Sequence, residues 1–135
     1  MIAILDFGSQ YTQLIARAIR QQAVYSVILP HTTTQAQLAS MNASGIVLSG
    51  GPASVNEENS PGCDPELLSG ELPLLGICYG MQLLCKNLGG VVTSGDRREY
   101  GRASVSLLSP GGGFSTNGNA SKIFSRTGRW SLYTL

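Results

Sequence analysis

The residues best placed to do chemistry are Gly76-Ile77-Cys78-Tyr79-Gly80, which lie between an apolar run and a helical pattern. A Gly-x-nucleophile-x-Gly segment is what a nucleophile elbow requires. The nucleophile occupies a strained turn, and small residues two positions either side let neighbouring chain pass close by. A helix N-terminus beginning at Cys78 aims positive partial charge at its sulfur, which favours the reactive thiolate. The same pentapeptide also suits a small, buried cysteine on a tight turn. Ser49-Gly50-Gly51-Pro52 is a second segment of interest, since its two glycines free backbone N–H groups to face a ligand as an oxyanion hole needs. Taken alone, it reads more simply as an ordinary turn. Gln82 follows Cys78 by four residues, one helical turn, and so can face the same pocket. Asp6-Phe7-Gly8-Ser9-Gln10 reads as a strand-to-helix turn with a cap. His31 is the single histidine, placed just after Pro30. A loop histidine of this kind is more often solvated than catalytic.

These segments need a framework that brings them together. Ile2 to Phe7 is a short apolar run, suited to a strand buried on both faces. Tyr11, Leu14, Ile15, Ala18, Ile19 and Gln22 then recur at helical spacing, with Arg17, Arg20 and Gln21 off the stripe and Ser9 as the expected N-cap. Val24 to Leu29, Gly45 to Leu48 and Leu72 to Ile77 read as further strands. A helix is expected from about Tyr79 to Leu88, stopped by Gly89-Gly90. This order predicts an α/β fold, an open and mostly parallel sheet with helices on both faces. Ligands of such sheets sit beyond the carboxyl ends of the strands, and each unusual glycine-rich segment falls at such an end.

Composition narrows the function classes. The chain has 135 residues, enough for one domain, with nine basic and eight acidic side chains. No net field favours nucleic acid or an anionic membrane, and no apolar run reaches the roughly 18 residues of a membrane-spanning helix. Cys63, Cys78 and Cys85 have no metal-ligand spacing. They are expected to be free thiols in a reducing, cytoplasmic compartment, with no metal bound. Ala103 to Leu108 can form a further strand. From Ser109 onward the chain is rich in Gly, Ser and Asn, and no acid follows Glu99. Residues 1–108 are therefore expected to form the domain and 109–135 a poorly ordered basic tail. That tail is either a loop with a short extension or, the favoured reading, the product of a coding frame or splice pattern altered near residue 110.

Three blocks, residues 4–17, 48–55 and 75–82, together with Arg98-Glu99-Tyr100-Gly101, resemble the class I glutamine amidotransferase domain of the GMP synthase family. The resemblance covers residues 1 to about 108. It implies a flavodoxin-like amidotransferase fold, C-terminally incomplete. By resemblance, Cys78 would be the nucleophile that attacks the glutamine amide, the backbone N–H groups of Gly51 and Tyr79 would hold the oxyanion, and Gln82 would help position the substrate. Ammonia would pass to an ATP pyrophosphatase domain or subunit, which uses ATP and Mg outside this chain to convert XMP to GMP in purine biosynthesis. No cofactor is expected in this chain itself.

The family's His-x-Glu and Ser-His-Gly-Asp segments have no counterpart in these 135 residues. General-base help is worth about 10²–10⁴-fold, so the chain alone is expected to be a poor glutaminase, and whether it is an enzyme in its own right stays open. A catalytically dead module that holds glutamine or docks on a pyrophosphatase subunit is the alternative. Another cysteine hydrolase, or a flavodoxin-like domain on a similar sheet, is the third reading.

Overall fold

The computed structural model describes residues 1–69 and 72–92, and beyond them the backbone of four short strands. Four parallel strands form the central sheet: β1 (Ile2–Asp6), β2 (Ser26–Pro30), β3 (Gly45–Leu48) and β4 (Leu74–Gly76). They stand side by side in the order β2-β1-β3-β4. In register, Asp6 faces Pro30, Leu5 faces Leu48, and Leu48 faces Gly76. The carboxyl ends of β1, β3 and β4 therefore lie level along one edge. β2 has no second neighbour among the described strands, which suits Pro30, a residue with no N–H to give to a ladder.

Three α-helices accompany these strands: α1 (Thr12–Gln21), α2 (Gln35–Ser40) and α3 (Tyr79–Asn87). One face of the sheet packs Ile4, Val47 and Ala16 with Ile15 and Ile19 of α1. The other packs Ala3, Leu5, Phe7, Ile46 and Leu48 against Leu38 of α2 and Tyr79, Leu83 and Leu84 of α3. Helices thus cover both faces, as the element order predicted. From β1 the chain turns to β2 on one side and then crosses back to β3 on the other. The carboxyl ends of β1 and β3 form the switch point at which such sheets take their ligands.

Several local features differ from the sequence reading. Helix α2 has no counterpart among the expected elements. Its segment, Gln-Ala-Gln-Leu-Ala-Ser, buries one side chain, Leu38, and is held by a capping box between Thr34 and Gln37 rather than by an apolar stripe. The buried face of α1 is rotated from the expected stripe. Thr12 and Ala16 are buried, Ile15 and Ile19 half-buried, while Tyr11 and Leu14 are each 56% exposed. Small side chains at 12 and 16 let the helix lie close to the sheet, and the Thr12 hydroxyl fixes its rotation by donating to Asp6 Oδ1 at 2.9 Å. Ser9 is not the N-cap of α1, since the helix begins at Thr12. Its Oγ instead accepts from the Tyr11 N–H at 3.0 Å, closing the turn before the helix. β2 starts at Ser26, not Val24, because Ala23 takes a left-handed conformation, φ 57°, that turns the chain first.

Strand β4 is shorter than expected, although Ile46 N–H to Pro73 O and Ile77 N–H to Leu48 O, each 2.9 Å, extend its attachment to β3 by a residue at both ends. Further along, β5 (Val105–Leu107) pairs antiparallel with β6 (Phe114–Thr116), and β7 (Ser121–Ser125) with β8 (Arg129–Leu132). The expected strand over 103–108 coincides with β5. The expected tail from residue 109 falls mainly outside the described residues, as does the Arg98-Glu99-Tyr100-Gly101 segment.

Candidate active site

The site is built where β4 turns into α3. Cys78 is the N-cap of α3, with φ 49° and ψ −113°. A residue with a Cβ rarely adopts this conformation, at a cost of about 1–3 kcal/mol, and it persists only when its surroundings over-determine it. Here they do. Before it, the Ile77 N–H donates to Leu48 O at 2.9 Å, and after it the Gly80 N–H donates to Ser49 O at 3.0 Å. The N–H groups of Met81 and Gln82 both reach the Cys78 carbonyl at 3.1 Å. Both flanking glycines are required sterically. A Cβ on Gly76 would lie 2.7 Å from the backbone N and Cα of Met81, and one on Gly80 would lie 2.5 Å from the Leu48 Cβ. The elbow is therefore a tight crossing of β4, α3 and the end of β3, with Cys78 at the positive end of α3.

The loop after β3 passes beside it. Ser49 is fully buried and braces the loop. Its Oγ accepts from the Phe7 N–H at 3.2 Å, donates to Gly50 O at 3.1 Å and lies 3.2 Å from the Thr12 hydroxyl. Gly51 runs so close to the end of β1 that a Cβ there would lie 2.5 Å from the Phe7 carbonyl oxygen. A Cβ at Gly50 would sit 3.4 Å from the Cys78 Cβ and 3.4 Å from Ser9 Oγ. The carboxyl ends of β1, β3 and β4 thus meet at Ser9, Gly50 and Cys78. Among the described residues, the N–H groups of Gly51 and Tyr79 have no backbone acceptor. Tyr79 is the first residue of α3, so its N–H has no carbonyl one turn earlier in the helix to bond. Gln82 is half-buried one turn along the same helix.

The aromatic groups nearby serve the core. The Tyr79 ring is 2% exposed and packs on Phe7 with ring centroids 5.3 Å apart, while its hydroxyl donates to Pro61 O at 2.5 Å. Burial pushes the Tyr79 hydroxyl above its ordinary pKa. His31 also stacks on Phe7, with ring centroids 5.4 Å apart and Nδ1 2.8 Å from Gly62 O. The ring is thus held by Phe7 and Gly62, and no hydrogen bond joins it to Cys78 among the described residues. Burial, followed by the neighbouring Asp64 carboxylate, pushes the Cys63 thiol up to about 11. It is therefore a neutral thiol at physiological pH. Among the described residues, no three His, Cys, Asp or Glu side chains gather as a metal site would require, and no helix is long and apolar enough to cross a membrane.

The structure thus places Gly50 beside Cys78, with Tyr79 next in the chain and Gln82 one turn along α3, while His31 is held by Phe7 and Gly62. Sequence reasoning missed Ser9 as a wall of the site, having assigned it to capping. Its position at the end of β1, beside the switch point, was the available signal.

Comparison with known proteins agrees with this geometry. Residues 3–130 match the family described as glutamine amidotransferase class-I. The chain is 54% identical over 110 residues to a glutamine-hydrolysing GMP synthase of Nostoc punctiforme, covering 82% of this chain and 20% of that protein. With the corresponding enzyme of Bacillus subtilis it shares 53% over 107 residues, covering 79% of this chain and 21% of that one. The chain therefore spans about a fifth of the length of these relatives. A crystal structure from Thermoplasma acidophilum, described as that of a candidate GMP synthase subunit, superposes with a TM-score of 0.70 at 21% identity. It covers 97% of this chain and 81% of that one, and shows the same fold. A parallel sheet whose switch point faces a cysteine elbow, read together with the match over residues 3–130, places the chain in the class-I glutamine amidotransferase family.

Proposed function

We propose that the chain is the nucleophile-bearing part of a GMP synthase glutaminase, with Cys78 as the group that attacks glutamine. The observation that carries this is the strained backbone of Cys78 at the start of α3, held between Gly76 and Gly80 and facing the Gly50-Gly51 loop. The Cys78 thiolate adds to the side-chain carbonyl carbon of glutamine, and the charge that develops on oxygen is met by the N–H groups of Gly51 and Tyr79. The C–N bond then breaks, ammonia leaves with an added proton, and a glutamyl thioester remains on Cys78. Water hydrolyses the thioester to glutamate and restores the thiol. Gln82, one turn along α3, positions the substrate.

In the complete system ammonia passes to an ATP pyrophosphatase domain or subunit, which draws on ATP and Mg to aminate XMP to GMP. That step lies outside the chemistry these residues can perform, and a compartment that keeps Cys78 reduced, the cytoplasm, suits the whole. The sequence contains one histidine, and its imidazole is engaged by Phe7 and Gly62. No hydrogen bond joins that imidazole to Cys78 among the described residues, and slow turnover by the isolated chain is part of the proposal. The same observation favours a second reading, a glutamine-binding or partner-docking module that does not turn over.

Ammonia release from glutamine, compared between the chain and Cys78→Ala, tests the proposal. Slow release that disappears with Cys78 supports the glutaminase reading. Equal release from both leaves the binding module, and a thiol that reacts with no preference for glutamine amides would point instead to an unrelated cysteine hydrolase.

A further inference from the structure

Two side chains from different strand ends, Ser9 and Cys78, converge on Gly50. The position that a Cβ on residue 50 would take is 3.4 Å from the Cys78 Cβ and 3.4 Å from Ser9 Oγ, both ordinary contact distances. Ser9 Oγ and the Cys78 side chain therefore flank the same face of Gly50, with no side chain from residue 50 between them. Ser9 presents a hydroxyl in a defined state. Its oxygen already accepts the Tyr11 N–H at 3.0 Å, so its own proton remains to be given. The side chain is half-buried, and its backbone carbonyl is fixed by the Thr12 N–H at 3.2 Å. A positioned donor thus stands near the proposed nucleophile, across the face of Gly50.

We propose that Ser9 is a substrate-binding residue, donating its hydroxyl proton to the carboxamide oxygen of a glutamine held against Cys78. This rests on the glutaminase reading above and adds to it a contact from the end of β1. Sequence reasoning gave Ser9 a capping role only, and the structure removes that role because α1 starts at Thr12. A Cβ on residue 50 would meet only the side chains of Cys78 and Ser9, in contrast to Gly76 and Gly80, where it would strike backbone.

Protection of Cys78 from alkylation tests this without requiring turnover. The rate of Cys78 carboxamidomethylation by iodoacetamide is followed by mass spectrometry over a range of glutamine concentrations, and each variant is compared with its own rate in the absence of glutamine. Ser9→Ala is expected to need about tenfold more glutamine for half-protection, the loss of one hydrogen bond to substrate. Ser9→Thr, which keeps the hydroxyl, should stay within about threefold of the parent. Gly50→Ala should weaken protection, because its methyl projects between Ser9 Oγ and Cys78. Protection of Ser9→Ala equal to that of the parent overturns the proposal. So does equal weakening in Ser9→Ala and Ser9→Thr, which would assign Ser9 to holding the turn. If glutamine fails to protect the parent chain, the glutaminase reading itself fails and the Ser9 contact falls with it.

Discussion

Replacing Cys78 with glycine should leave the protein more stable than replacing it with alanine. Both changes remove the thiol, so their difference isolates the Cβ. At φ 49° and ψ −113° that Cβ costs about 1–3 kcal/mol, and alanine retains the cost whereas glycine does not. Glycine gives back about 0.5–1 kcal/mol through the greater freedom of its unfolded chain. The net advantage of glycine is therefore about 1 kcal/mol. A helix N-cap favours glycine over alanine even without strain, so a reference position is needed. Thr34 provides it, as the N-cap of α2 with an ordinary φ of −89° and ψ of 161°. The entropy and capping contributions are common to both positions, so the glycine-over-alanine difference at 78 should exceed that at 34 by the strain alone, about 1–3 kcal/mol. Urea unfolding followed by far-ultraviolet circular dichroism would read this as a midpoint difference of about 0.5–1.5 M, given slopes of roughly 2 kcal/mol per molar. Equal differences at the two positions would refute the argument that the elbow stores strain, and with it the structural case for Cys78 as an activated nucleophile.

Other consequences are open to simple measurement. Alkylation of Cys63 should be slow at neutral pH and rise about tenfold per pH unit until near 11, since only the thiolate reacts; a plateau near pH 8 in peptide-mapped labelling would contradict its burial. The raised pKa of Cys63 also means the folded state holds that proton longer than the unfolded chain. Its stabilising effect is complete below about pH 9 and fades as pH rises toward 11, so the urea midpoint should fall over that window by less in Cys63→Ala than in the parent. Tyr79→Phe removes the donor to Pro61 O and should destabilise by about 1 kcal/mol; an unchanged urea midpoint would show the bond contributes nothing. Leu38→Ala, at the fully buried residue that docks α2, should cost about 2–5 kcal/mol, and a loss under about 1 kcal/mol would show that α2 is not a packed element.

The sequence by itself determined the parts of this protein that depend on near neighbours along the chain. The apolar runs of β1 and β3 could form little but buried strands. Glycines two residues either side of Cys78, between a strand and a helix, specified the elbow because the constraint is local: no Cβ is tolerated where strand and helix cross. The same locality explains why the stop of α3 near Gly89-Gly90 was legible.

What only the tertiary structure decided were the choices made between elements. The α1 sequence offers apolar residues around much of its circumference, and which of them face the sheet was set by the Thr12 hydroxyl reaching Asp6 and by the close fit of Ala16. α2 was illegible because a single buried leucine makes no period, and its start depends on a reciprocal cap rather than a pattern. His31 directly follows β2 in the chain, yet the partner that holds its ring nitrogen is Gly62, 31 positions away. Ser9, Gly50 and Cys78 meet because parallel pairing in the order β1-β3-β4 sets three strand ends level. That register is a property of the sheet, and no one segment of the sequence contains it.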